Sequence, residues 1–332
     1  MKKYLIHFLI TCICLSTVPF FSSWGTFAHE HINKASVFAL PEPMQLFFYN
    51  HIDYITQEST VPDLRKYTML DKTETPRHYI DLEKFGRVDS IPRNFAEANL
   101  KYKPEFLNEF GILPWYIEEM MDKLTKAFKG KRKTEILFLA SDLAHYLGDA
   151  HMPLHTTINH DGQQTDQRGI HALWESRLPE MFGSEYNYHT TEAVYIDNIQ
   201  KSTWELIMRS YKLADTVLLT EKQLRKQVAK DKVFKTDSKG NIIKNKFNQN
   251  FFTDEYATQF HEALNGMVEN QIRAAIVCVS SYWYTAWVNA GKPTLDDLDP
   301  AYINEQNKER LQSELKKLKY GKLLGIESEK EF

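Results

Sequence analysis

The chain has 332 residues, with 44 acidic side chains against 41 basic ones and a net charge of −3. That balance excludes a binder that grips nucleic acid through overall basic character. Aromatic residues make up 13% of the sequence, and a chain this long can bury one large core or two small ones.

In chain order, the first pattern is a leader. Lys2 and Lys3 precede an apolar run from Tyr4 to about Phe21, and the small residues Ser22 and Ser23 then come before Trp24. This is the layout of a secretory signal peptide over residues 1–23, with an apolar stretch too short to span a bilayer comfortably. Phe21 sits where a small residue is preferred, so the cleavage signal is imperfect, and an uncleaved anchor is the rival reading. Cleavage would take Cys12 and Cys14 away and leave Cys278 alone, which excludes an internal disulfide in an exported protein.

Helical signals dominate the rest of the chain. Segments 33–57, 93–127, 172–183 and 190–229 read as helices. Residues 136–150 (ILFLASDLAHYLGDA) are apolar around most of a helix circumference, which predicts a buried helix, and Pro153 stops it. From Asp254 to Val288, residues such as Leu264, Met267, Ile272, Ala275, Val279 and Trp283 recur at three- and four-residue steps. Gly291 and Pro293 close that pattern. Strand signals are scarce; the best is near Lys232 to Phe247, where Asp237 to Asn241 would turn a small surface hairpin. Basic runs at Lys129 to Lys133 and from Lys222 to Lys246 read first as solvated helix ends and loops. Residues 301–332 are charge-rich and predict a peripheral, fraying helix. With no internal repeat, the expectation is an all-α fold with one large helical domain over residues 24–300 and a charged C-terminal tail.

The chemistry concentrates in one stretch. His145 and Asp149 stand four apart and so project from the same face of the buried helix. A lone histidine there would be ordinary core. An imidazole and a carboxylate together on an apolar helix are costly to bury, and a metal ion removes that cost. Pro153 lets His155 return toward the same space. His171 and Glu175, just past a glycine-containing loop at residues 159–169, repeat the four-residue spacing. Alone this pair equally suits a helix-surface hydrogen bond; beside the first pair it suits zinc. Upstream, Asp63 and His78 offer another carboxylate and imidazole, but no local periodicity couples them. If cleavage exposes Trp24, its free amine and carbonyl can chelate a metal in a five-membered ring, with His29 completing the site.

This pattern, with its HYLGDxxxPLH core and its Trp24-Gly25 start, resembles the superfamily that joins bacterial zinc-dependent phospholipase C to the single-strand-specific zinc nucleases of fungi and plants. The likeness covers roughly residues 24 to 180, with a weaker helical similarity toward residue 290. It implies three zinc ions. One would sit on Asp63, His78, His145 and Asp149, and a second on His155, His171 and Glu175. The third would sit on the amine and carbonyl of Trp24, on His29, and on Asp149 as a shared carboxylate. His31 is the near alternative to His29, and the nuclease spacing favours His29. The resemblance gives no ligand role to His151, His51, His160, His189 or His261.

The implied function is an exported, periplasmic or secreted zinc-dependent phosphodiester hydrolase working through a metal-activated water. Glu175 and the short loop before His171 look phospholipase-like, whereas the Trp24–His29 and Asp63–His78 spacings look nuclease-like. The leading expectation is therefore a phospholipase C type of enzyme with transient membrane-surface contact. A single-strand nuclease is the nearest rival, and a non-catalytic zinc-binding protein a more distant one. No protein partner is expected. Asp63 is the candidate to orient the nucleophile. Arg65 and Lys66 are candidate phosphate contacts, although Lys66 stands where nuclease relatives carry arginine, and lysine offers a point charge in place of a fork. Trp174, Tyr79, Tyr146 and Phe27 are candidates for a base-stacking pocket, or else ordinary core.

Overall fold

The computed structural model describes residues 25–245 and 248–323. The leader and Trp24 therefore lie outside the described residues, as does the end of the tail.

The core is built around one helix. α8 (Lys133–His151) buries nearly every residue from Ala140 onward, as an all-round apolar sequence requires. Three helices cover it: α1 (Thr26–Phe38), α7 (Leu113–Lys129) and α11 (Met267–Asn289). α7 shows the ordinary amphipathic rule. Leu113, Ile117, Met120, Leu124 and Phe128 face inward at three- and four-residue steps, and Pro114 sits in its first turn, where a missing N–H costs nothing. α9 (Ile199–Arg225) crosses beyond α7 and α8 and packs against α10 (Asp254–Ala263).

Shorter elements fill the gaps where the expected helices are punctuated. The 33–57 segment divides into α1, α2 (Met44–Asn50) and α3 (Ile52–Gln57), since Pro41 and Pro43 interrupt it. The 93–127 segment divides at Pro104 and Gly111 into α5 (Phe95–Lys101), α6 (Pro104–Phe110) and α7; α4 (Val61–Tyr67) precedes them. The long C-terminal pattern breaks at Asn265 and Gly266, both at positive φ. Residues 190–197 are extended where a helix was expected. Their backbone is held by distant partners: Ala193 N–H donates to the Ala39 carbonyl (2.8 Å), and Ile196 N–H donates to Thr285 Oγ1 (3.0 Å). Asn198 then caps α9 through its side chain.

Among the described residues there is no sheet. The expected hairpin is a small curl closed by three isolated bridges, Phe234 to Phe252, Thr236 to Ile242 and Lys244 to Asn250. The tail forms α12 (Ala301–Leu318), which docks on α2 through buried Leu311 and a Tyr49 to Glu314 hydrogen bond of 2.9 Å.

Candidate metal centre

Six segments of different kinds deliver donor atoms to one place. α1 carries His29, α4 carries Asp63, and a 3-10 turn (Thr75–His78) carries His78. α8 carries His145 and Asp149, and the 3-10 turn Pro153–Thr156, started by Pro153, returns His155. His171 and Glu175 come from a broken helix over residues 170–182, in which Glu175 lies within a π turn (Leu173–Arg177). Such turns recur at functional sites. All of these donors are buried except His171, whose side chain is 20% exposed.

The turns are positioned by backbone hydrogen bonds between them. Ile80 N–H donates to the His155 carbonyl (2.9 Å), Ile112 N–H to Pro76 (2.7 Å), and Leu113 N–H to Tyr79 (3.2 Å). This stitching places His78, and the Arg65 pairs with Glu74 (2.9 Å) and Asp142 (2.6 Å) hold α4, and with it Asp63, beside the same donors, a pairing that their fifteen-residue separation did not announce.

The donors form three sets, each with its atoms within 4.8 Å of one another: Asp63, His78 and His145; His29, His145 and Asp149; His155, His171 and Glu175. In the first, Asp149 Oδ2 lies 2.9 Å from His78 Nδ1 and 3.4 Å from His145 Nε2. Asp63 lies 3.7 Å from His78 Nδ1 and 3.9 Å from His145 Nε2. In the last, His155 Nε2 and His171 Nε2 are 3.3 Å apart, with Glu175 Oε2 3.2 Å and 2.7 Å away. Ligands of a tetrahedral zinc with bonds of about 2.0–2.1 Å stand about 3.3 Å apart, so these separations suit the ion. The other carboxylate oxygen, Asp149 Oδ1, faces His29 Nε2 at 3.6 Å and His155 Nδ1 at 3.5 Å. Asp149 Oδ1 and His155 Nδ1 are buried and make no hydrogen bond among the described residues, as donors aimed at a cation would be.

The far side of each ring fixes which nitrogen faces inward. His145 Nδ1 donates to the Ser59 carbonyl (2.8 Å) and His171 Nδ1 to the His160 carbonyl (3.0 Å). His78 Nε2 faces Glu74 Oε1 at 3.4 Å, which leaves Nδ1 for the centre. Burial alone would lower His145 and His171. The carboxylates of Asp149 and Asp63 raise the first to about 9, and Glu175 raises the second to about 9. Burial alone would raise Asp149 and Glu175, yet the facing imidazoles hold both well below the usual carboxylate range.

Glu74 is a buried carboxylate behind His78 that the sequence reading missed. It is fully buried and accepts hydrogen bonds from Tyr146, from Arg65 Nε (2.9 Å) and from Arg77 (2.9 Å). It stands four before His78, the same spacing that exposed the other pairs. Arg65 is a correction: it also pairs with Asp142 at 2.6 Å, so it braces the frame around Glu74 and is committed away from any phosphate. Lys66 is half-buried. Burial opposes its charge, but Tyr67, Asp63 and Asp149 hold it protonated. Trp174, Tyr146 and Phe27 are core, whereas Tyr79 is half-buried and donates to the Glu109 carbonyl (2.8 Å). His31 and His151 are buried, held by the Phe27 and Leu147 carbonyls, and burial pushes each down to about 4.

The model of the family described as S1/P1 Nuclease matches residues 25–277, which takes in all the described donors and runs into α11. No individual curated protein matches the chain.

Proposed function

Because the chain belongs to the S1/P1 nuclease family, whose members are zinc-dependent hydrolases of phosphoric ester bonds, we propose that it cleaves the phosphodiester bonds of single-stranded nucleic acid with three bound zinc ions. The first ion belongs to Asp63, His78, His145 and Asp149, and the second to His155, His171 and Glu175. The third belongs to His29 and Asp149, together with the amine and carbonyl of Trp24. The observation that carries this reading is the position of Asp149, with one carboxylate oxygen toward His78 and His145 and the other toward His29 and His155. A carboxylate shared in this way is what adjacent metal ions need.

Bound zinc supplies a lowered pKa for water and polarisation of a phosphoryl oxygen. Asp63, at the edge of the first set, orients the attacking water. Lys66 supports a phosphate oxygen as a point charge, while Arg65 and Glu74 keep α4 and His78 in place. The partly exposed His171 marks the side from which substrate enters. The match supports a phosphodiester hydrolase of either kind; the nuclease reading follows the family's description, and the phospholipase reading that Glu175 and the short loop suggested is its competitor in the test below. Export fits as well, since members of the family are typically secreted and no described helix is long and apolar enough to cross a membrane.

The test offers zinc-loaded mature protein single-stranded DNA, RNA and phosphatidylcholine vesicles, with a chelator control and a metal count. Chelator-sensitive cleavage of DNA or RNA, with three zinc ions per chain, is the expected result. Phosphocholine release without nucleic-acid cleavage would place the protein with the phospholipases. Tight zinc binding with no hydrolysis at all would make it a binding protein.

A further inference from the structure

Residues 222–252 hold nine basic side chains and two acidic ones, in a chain whose net charge is −3. The basic character of this protein is therefore local, and its location is informative. Beyond Arg225 the chain makes the small curl described above. Lys235 N–H donates to the Phe251 carbonyl (2.8 Å), Ile243 N–H to Lys235 (2.9 Å), and Phe251 N–H to Ile243 (3.1 Å), so three short runs close on one another. The inner side is fastened: Phe252 is buried, with its ring 4.9 Å from Phe234 and stacked on Tyr256.

The outer side is unlike a neutral surface loop. Ile242, Ile243 and Phe251 are 43%, 40% and 46% exposed, and Lys239 and Lys244 flank the two isoleucines. Lys232 and Lys235 pair with Glu255 and Asp254 and hold the base of the curl. Lys230, Lys239 and Lys244 form no ion pair with a carboxylate among the described residues. Positive charge interleaved with an exposed aromatic ring suits a flexible polyanion that carries flat bases.

The curl is also tied to the metal centre. Gly169, at φ +97°, lies so near it that a Cβ would stand 2.5 Å from the Asn250 carbonyl oxygen. Asp161 accepts hydrogen bonds from Gly169 N–H (2.9 Å) and His171 N–H (3.3 Å), and Gln249 bonds its carboxylate from the curl. Arg225 donates to the Asp166 carbonyl (2.5 Å). The loop that ends in His171 is thus held against the curl. At about 3.8 Å per residue, Phe251 lies within roughly 17 Å of His171, a span of a few nucleotides.

We propose that the curl binds the flanking nucleotides of a single-stranded substrate, with phosphates on Lys230, Lys239 and Lys244 and a base stacked on Phe251. The inference rests on the nuclease reading and adds to it where the strand runs. An anionic membrane is the competing occupant. It is less favoured because only three apolar side chains are exposed there, each by less than half, beside Lys239 and Lys244.

The experiment compares zinc-loaded wild type with Phe251→Ala and with the triple variant Lys230→Gln, Lys239→Gln, Lys244→Gln. Two substrates are used, a thymidine oligomer of about 20 nucleotides and a small chromogenic phosphodiester, at about 50 and about 200 mM salt. The expected result is a several-fold higher KM for the oligomer in both variants, with the small ester unchanged within about twofold. The triple variant should also lose about 2 from the salt slope of oligomer affinity, at about 0.7 per phosphate contact. Wild-type values for oligomer KM and salt slope in both variants would overturn the proposal and leave the nuclease reading standing. Wild type that cleaves the small ester but not the oligomer would overturn the nuclease reading itself. Loss of phosphatidylglycerol-vesicle binding in the triple variant, with unchanged oligomer kinetics, would reassign the surface to membranes and overturn the proposal.

Discussion

The two ends of the metal centre are built differently. The Asp63, His78 and His145 end is buried, with Asp63 and His145 on helices and His78 on a 3-10 turn, and behind it lies a charged frame of Glu74, Arg65 and Asp142. With Asp149 it offers four protein donors, the count of a closed zinc site. The His155, His171 and Glu175 end offers three, the count that leaves a position for water or substrate. It stands on a 3-10 turn and on the broken helix with its π turn, and its His171 is held by the His160 carbonyl at the ring and by Asp161 at the backbone N–H. The difference teaches that one end is braced by a charged frame, while the other, with its partly exposed His171, is the side on which the proposed reading has substrate enter.

Asp149 joins the two ends, so its loss should have the largest effect. Asp149→Asn keeps the shape but removes the charge that the proposed first and third ions would share. Zinc content should fall by at least one ion, and kcat/KM should fall by about a thousandfold or more, as loss of a metal contribution worth several kcal/mol requires. Metal analysis beside single-strand cleavage would check both. A variant that keeps three zinc ions and full activity would break the picture of a shared carboxylate.

A smaller effect sharpens the contrast between frame and loop. Glu74→Gln leaves an acceptor near His78 but no charge, and should weaken one zinc ion by about 10- to 100-fold in competition with a chromophoric chelator. Asp161→Asn keeps the acceptor oxygen that holds the His171 loop and should weaken zinc by less than about tenfold. Equal losses in the two variants would mean that the ends are braced alike.

The central helix and both four-residue pairs were legible because period and polarity conflict there: an all-round apolar helix has no ordinary use for His145 and Asp149. Pro153 made the return of His155 legible too. Asp63 and His78 were coupled only by the resemblance, since what joins them is the Arg65 pairs with Glu74 and Asp142 on one side and the bonds from Ile80 to His155 and from Ile112 to Pro76 on the other, between segments far apart in sequence. Arg65 misled because its nearness to Asp63 in sequence suggested a phosphate contact, whereas α4 turns it toward Asp142 on α8. Residues 190–197 misled for the opposite reason. Nothing local forbids a helix there, and distant partners satisfy the extended backbone. The break at Asn265-Gly266 was readable, because that dipeptide is a turn signal.

The smallest expected effect lies at the seam between the two ends. Asp81 follows Ile80, whose N–H reaches the His155 carbonyl, and its own N–H donates to Phe110 (2.8 Å). The residue is only 8% exposed; burial, with Glu83 nearby, raises its carboxyl to about 7. A carboxyl raised above its unfolded value near 4 costs nothing below pH 4, where it is neutral in both states. Its cost grows as pH climbs toward 7 and is constant above that. Asp81→Asn removes the charge and should stabilise the protein by about 1–4 kcal/mol above pH 8, with the gain fading to nothing near pH 4. Thermal melts of the zinc-loaded protein across that range would show a rise in Tm that grows with pH. A shift of the same size at pH 4 and pH 8 would mean that packing, not the charge of Asp81, sets the seam's stability.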